Sequence, residues 1–258
     1  MKVCIIGSGL SALALAKALI NKNINVEIVS KNKQIKINQS RTLGISKSNF
    51  NYFNKNIVNI EKIIWKIKKI EILSDNLKNE KILNFENKND QIFSIVKNYK
   101  IYDLLNKSLN KNKYTKKIKL TNNFAGFSEY DLIINTDYKS FFTKKFFNKK
   151  IVKTYNSLAY TTVLNHKKTF NDTAIQIFTK LGPLAFLPIS SDKTSIVFSI
   201  HNSNENVSKN LYQLIERYNF KYKIKKIDKI EHFDLKSFLL RSYYHKKILA
   251  FGDILHKI

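Results

Sequence analysis

The sequence predicts an α/β chain in which a Rossmann-like parallel sheet is interleaved with an antiparallel one. Three observations carry that prediction. Residues 1–31 read as strand, glycine turn, helix and second strand; the later runs 117–121 and 131–137 read as strands returning to the parallel sheet; and other stretches are short and alternating, as half-buried antiparallel strands are. No internal repeat or low-complexity linker divides the 258 residues. The parallel part is therefore assigned to 1–56, 99–150 and 245–258, and the antiparallel part to 57–98 and 151–244.

The first strand is the apolar run 2–6, with Cys4 inside it as a buried structural thiol. Gly7, Gly9 and Ala12 follow with G-x-G-x-x-A spacing. The first glycine permits a tight turn, the second lets backbone approach a pyrophosphate, and the small Ala12 lets helix pack on strand. Leu10, Leu13, Ala14, Ala16, Leu19 and Ile20 give the helix its apolar content to about residue 21, and Val26, Ile28 and Val29 supply the second strand. This is a dinucleotide-binding start. The carboxylate expected about twenty residues on, at the ribose, is absent. Ser30 stands there, and its hydroxyl makes a weaker bond than a charged acceptor would.

Arg41 comes next, ahead of a helix over 46–54 with Phe50 and Phe53 inward. A guanidinium beside a dinucleotide can pair with phosphate in two-pronged fashion. KKIEIL, KILNFEN and QIFSIVKN read as antiparallel strands, and Trp65 as a core residue. Residues 99–110 read as a helix. Strands follow at 117–121 and 131–137, the second ending in Asp137, with Ser140 just beyond it. Ligands gather at the carboxyl ends of parallel strands, which makes both residues candidates against simple turn and capping chemistry. Residues 153–168 form an alternating strand, with His166 expected at a solvent-exposed turn between lysines. Both prolines, Pro183 and Pro188, fall with Gly182 in a strand, loop, strand and third strand over 174–200. An amphipathic helix is read over 204–219, a polar segment after it, and a last strand over 248–251 that ends in Gly252 and Asp253.

Composition sets limits on function. The formal charge of +27 arises from 46 basic residues of which only Arg41, Arg217 and Arg241 are arginine. Lysines spread evenly among Asn, Ile, Tyr and Phe, all with AT-rich codons, reflect a biased genome. The arginine forks and clustered basic faces of nucleic-acid readers are missing, which argues against nucleic acid as a partner. One cysteine and five histidines without a pairing signature argue against a metal centre or a nucleophilic triad. No run approaches the eighteen apolar residues of a membrane span, and the first strand begins without a leader, so the expected location is cytoplasmic.

In order and spacing these pieces resemble the flavin-dependent aromatic hydroxylases of the para-hydroxybenzoate hydroxylase type, and within them the ubiquinone-biosynthesis hydroxylases. GSGLSALALAKAL is similar to the family's FAD pyrophosphate loop, SRTLGISKSNFNYF to its arginine segment, AIQIFTKLGPLAFLPISSDKTSIVFS to a glycine-proline strand pair of the substrate domain, and LAFGDILH to its closing G-D motif. The resemblance implies an FAD-binding parallel sheet and an antiparallel substrate-domain sheet. Its cofactor-binding residues would be Gly7, Gly9, Ala12, Ser30, Arg41, Asp137, Gly252 and Asp253, with no catalytic side chain and no metal.

It also implies NADH or NADPH as reductant and a polyprenylated phenol as substrate. Peripheral contact with the inner membrane through lysines and aromatics would follow from that substrate. Two features depart from the pattern: Tyr138 replaces the glycine of the family's D-G motif, and the chain reads as C-terminally shortened. The alternative they raise is a degenerate FAD- or nucleotide-binding protein without turnover. Oligomeric state leaves no signal.

Overall fold

The computed structural model describes residues 1–31, 39–75, 80–120, 126–201 and 210–257. The chain opens with β1 (Lys2–Ile6), α1 (Leu10–Ile20) and β2 (Asn25–Ser30), then β3 (Thr42–Ser46) and α2 (Lys47–Asn56). Strands β4 (Ile64–Ile67), β5 (Lys69–Ser74), β6 (Glu80–Glu86) and β7 (Phe93–Lys97) lead to α3 (Asn98–Asn110). After β8 (Thr115–Lys119), β9 (Leu132–Asn135) and α4 (Phe141–Phe146) comes a 17-residue strand, β10 (Lys150–His166). The rest is β11 (Thr173–Thr179), β12 (Gly182–Pro188), β13 (Lys193–His201), α5 (Leu211–Tyr218), β14 (Ile224–Ile227), β15 (Glu231–Leu240), β16 (Tyr244–His245), β17 (Ile248–Ala250) and β18 (His256–Lys257).

Among the described residues these strands make three sheets. The first has the order β16-β17-β9-β1-β2-β8 and is parallel except for the β16–β17 hairpin. Alternation along β1 explains its position inside. Val3 and Ile5 pack with α1 and α3 through Ala12, Ala16, Leu105 and Leu109, while Cys4 and Ile6 pack on the other face with Val29, Ile133 and Phe142. Each fully buried Ile or Leu here contributes about 1.5–3 kcal/mol. Burial, reinforced by the Glu27 carboxylate, pushes the Cys4 thiol up to about 12. Because the thiolate is the nucleophile, Cys4 is expected to resist iodoacetamide at pH 8 in the native chain and to react fully in urea; appreciable native labelling by mass spectrometry would contradict this.

The second sheet runs β18-β15-β10-β13-β12-β11-β5-β6, with β14 against β10. Its core, Leu164, Ile177, Leu184, Phe186, Phe198 and Ile200, is covered by Leu211 and Ile215 of α5. The third is the small antiparallel β3-β7-β4. Trp65 is half-buried, packs in a small cluster with Ile67 and Ile95, and donates its indole N–H to the Asn171 carbonyl at 2.5 Å.

The strand, loop, strand and third strand expected over 174–200 are β11, β12 and β13. Three expectations need correction. His166 is 1% exposed, not at an exposed turn: Lys167 and Lys168 lie beyond the end of β10, while the imidazole turns inward onto the Tyr222 ring, with Nδ1 2.8 Å from the Lys167 carbonyl and Nε2 3.0 Å from Thr194 Oγ1. KKIEIL pairs antiparallel with β6 but parallel with β11, because β11 runs alongside it after a long excursion rather than a hairpin. QIFSIVKN is antiparallel as expected, and forms the centre of the third sheet. The polar segment after α5 is two strands, β14 and the ten-residue β15, whose alternation of Phe233 and Leu235 with His232, Asp234 and Lys236 is masked by charge. The first part of the helix expected over 204–219 falls at 202–209, outside the described residues.

No helix of the described residues is long and apolar enough to cross a membrane.

Candidate functional site

A cleft of about 950 Å³ lies between the carboxyl edge of the parallel sheet and one face of the second sheet. Seven of the eight residues expected at a cofactor line it: Gly7, Gly9, Ala12, Ser30, Arg41, Asp137 and Asp253. The eighth, Gly252, sits at the cleft's edge, where a Cβ would stand 2.8 Å from that of Ser11.

The glycine turn is built by two different demands. Gly7 has φ +114° and donates its N–H to the Val29 carbonyl at 2.9 Å; a Cβ there would meet Thr136 Oγ1 at 2.3 Å, so glycine is required for the fold itself. Gly9 has φ −75°, open to any residue, and a Cβ there would meet nothing within 4 Å. Its bareness serves the cleft, not the chain. Gly9 caps α1 with no side-chain hydrogen bond, and the first turn holds no acid, so the leading N–H groups and the positive end of the helix face the cleft unopposed.

Opposite, the end of β9 carries the acid loop. Asn135, fully buried, receives the Ser140 hydroxyl at 3.0 Å and the Asp137 N–H at 3.2 Å. Ser140 is 3% exposed and caps α4 by accepting from Thr143 N–H at 3.1 Å. It shapes the loop, and it is not among the residues that line the cleft. Asp137 accepts from Lys139 N–H at 2.9 Å and lines the cleft. Tyr138 donates its hydroxyl to the Asp253 carbonyl at 2.9 Å and sets its ring edge to face Phe238 at 5.7 Å. Burial, then the Asp253 charge, raises the Tyr138 pKa, so this donor persists at neutral pH. Tyr138 thus ties the two acid loops together.

Residues that sequence reading passed over come from β10 and the run into β15. Thr161 is 7% exposed and its hydroxyl has no hydrogen-bond partner among the described residues, although it lines the cleft. It pairs in register with Glu231, which accepts the Ser40 hydroxyl. Phe233 carries the Arg41 guanidinium 4.8 Å above its ring. Lys229 and His232 complete that wall. Of these, only Glu231, His232 and Phe233 fall in the alternating run EHFDLKSFLL; Thr161 and Lys229 carried no signal in the sequence.

No protein-family model and no curated protein matches the chain. Solved structures do. The chain is similar over 98% of its length to 72% of p-nitrophenol 4-monooxygenase PnpA from Pseudomonas putida DLL-E4, with TM-score 0.78 and 10% identity. All of it matches 79% of PqsL from Pseudomonas aeruginosa, described as a probable FAD-dependent monooxygenase, with TM-score 0.76 and 12% identity. A variant of HpxO from Klebsiella pneumoniae complexed with FAD matches over 99% of this chain and 74% of that one, with TM-score 0.71 and 12% identity. The α/β architecture, with its parallel and antiparallel sheets, is the fold of these monooxygenases.

Proposed function

We propose that the chain is an FAD-dependent monooxygenase acting on an aromatic ring. The observation that carries this reading is the convergence of the bare Gly9 turn, Arg41 and the two acid loops on one large cleft, walled on its far side by an antiparallel sheet. The residues fit a flavin dinucleotide. Gly9 and the start of α1 would meet the pyrophosphate, Arg41 would pair with phosphate or flavin, Ser30 would meet the ribose, and Asp137 and Asp253 would accept hydroxyls. Bound FAD, reduced by NADH or NADPH, would supply the oxygen-activating chemistry. The chain's own part is orientation and exclusion of water: Phe233 presents the guanidinium, Tyr138 joins the acid loops, and Thr161 offers an unpaired hydroxyl to a polar substituent of the ligand.

In this reading residues 1–56, 99–150 and 245–258 hold the cofactor and 57–98 and 151–244 the substrate. The finer reading, by family resemblance, is a polyprenylated phenol of ubiquinone biosynthesis, met at the inner membrane through lysines and exposed aromatics. Purification with added FAD tests the first step, since a bound flavin gives a visible spectrum. Oxygen uptake and product mass with phenols of differing prenyl length test the second. A colourless chain that FAD does not titrate would refute the proposal.

Arg41→Lys is expected to weaken FAD binding by about 1–3 kcal/mol, because lysine offers neither a planar fork nor the same stacking on Phe233. Flavin fluorescence titration measures it, and unchanged affinity would remove Arg41 from the site.

A further inference from the structure

Sheet edges discourage pairing with another chain by charge or by shortness. Three of the four strands that end the two large sheets are protected in this way: β8 carries lysine at three of its five positions, and β16 and β18 are two residues long. The fourth, β6, is different. It ends the second sheet with seven residues, EKILNFE, none of them buried, and its middle is apolar: Ile82, Leu83 and Phe85 are 47%, 50% and 50% exposed.

Its pairing with β5 sorts the side chains onto two faces. Asn84 and Glu86 stand opposite Glu71 and Lys69, and the charges there are already engaged, Lys81 with Glu71 at 2.7 Å and Glu86 with Lys69 at 3.9 Å. Leu83 and Phe85 stand opposite Ile72 and Ile70 on the other face, which continues into β11 at the 45% exposed Phe178. A terminal strand turns half of its backbone donors and acceptors away from its one neighbour, so the group that completes this edge is another strand.

The strand is complementary to itself. A two-fold axis perpendicular to a sheet keeps each side chain on its face, so it must pass through a residue. Placed through Leu83, it would set Glu80 of each copy opposite Glu86 of the other, and like charges directly opposed are destabilising. Placed through Phe85, it would turn Glu80 toward Asp90. Placed through Asn84, it sets Leu83 opposite Phe85 twice and brings Glu80 toward Lys88 of the second copy. Only the last register joins apolar to apolar and acid to base.

We propose that β6 is a self-association edge, at which a second copy of this chain adds its own β6 antiparallel about Asn84 and the two second sheets become one. The contact is the same patch on both subunits, so it closes at the dimer. No residue of β6 lines the cleft, and the proposal stands whether or not FAD binds there.

Sedimentation velocity of the full chain over about a hundredfold range of concentration tests it. The expected result is a monomer that converts to a dimer, with no larger species. Backbone hydrogen exchange at the two ends of that range should slow in residues 80–86 at the higher concentration. Leu83→Lys with Phe85→Lys opposes like charges across the axis and should weaken association at least about tenfold, the equivalent of about 1.4 kcal/mol. Asn84→Cys sets a thiol opposite its own counterpart with Cα atoms about 4.5–5.5 Å apart, a span a disulfide accepts. Mild oxidation should therefore link that variant into a covalent dimer and leave Phe178→Cys unlinked, the buried Cys4 taking no part in either. A chain that stays monomeric throughout, or one that grows beyond the dimer, would overturn the proposal. So would a dimer that survives both lysine substitutions and fails to cross-link at position 84. If the lysine variant does not unfold cooperatively, exchange in the unmodified chain and the cross-link decide.

Discussion

Gly9→Val is expected to abolish FAD binding, a loss of at least about 100-fold, equivalent to about 2.7 kcal/mol, in a chain that still unfolds cooperatively. The separation of the two effects comes from the backbone. At φ −75° and ψ 177° valine fits without strain, and the site of its Cβ is open, so the fold has no objection to it. What the branched side chain occupies is the approach to the first turn of α1, where a pyrophosphate would need bare N–H groups. The stability cost is about 1 kcal/mol, the order of a lost helix cap. Paired urea unfolding and flavin titration measure the two quantities; a variant that purified yellow would show that the glycine turn is not the cofactor loop.

Gly182→Ala is expected to destabilise the chain by on the order of 4 kcal/mol without touching the cleft. Gly182 opens β12 at φ +135°, a region where L side chains are strained by about 1–3 kcal/mol. A Cβ there would also lie 2.1 Å from the Ser199 carbonyl oxygen. That atom is backbone, and it cannot retreat, because Ser199 of β13 is paired on its other side with Ala159 of β10. Strain and clash add, which places the substitution among the large effects. Urea midpoints and calorimetric melting report it. A loss under about 1 kcal/mol would mean that the β12–β13 pair yields more readily than its register implies.

The contrast between these two glycines shows what a sequence can and cannot display. In a chain with only six glycines, each stands out, and the spacing of Gly7 and Gly9 between an apolar strand and an apolar helix was readable because local chemistry alone dictates it. Asp137 was readable as an acid that ends an apolar strand, and Asp253 through the resemblance of LAFGDILH to a closing G-D motif. The other wall of the cleft was not, because Thr161 and Phe233 come from strands whose partners lie far away in sequence, and a threonine on a long alternating strand looks like any other. His166 shows the limit sharply. Its lysine neighbours suggest solvent, yet the imidazole is enclosed by Thr194, Tyr222 and its own strand end, contacts that only the assembled sheet creates. Tyr138 was visible as a departure from the D-G pattern that the sequence otherwise resembles, but its tie to Asp253 across 115 residues was not.

The parallel sheet has a consequence for the order in which the molecule assembles. Its neighbouring strands β9 and β17 lie on either side of a segment that contains most of the antiparallel sheet, and Phe251 N–H reaches back to the Asn135 carbonyl. Closing so long a loop is entropically costly until the intervening chain has contracted, whereas β11, β12 and β13 are joined by short connections and pair locally. The hairpins are therefore expected to precede the closure, with the insertion of β17 beside β9 a late event of folding. The Asp253 edge of the cleft is completed only then. During refolding, secondary structure should recover before any capacity to quench flavin fluorescence, and the interval between the two signals is the time the chain spends folded in outline yet unable to hold a ligand.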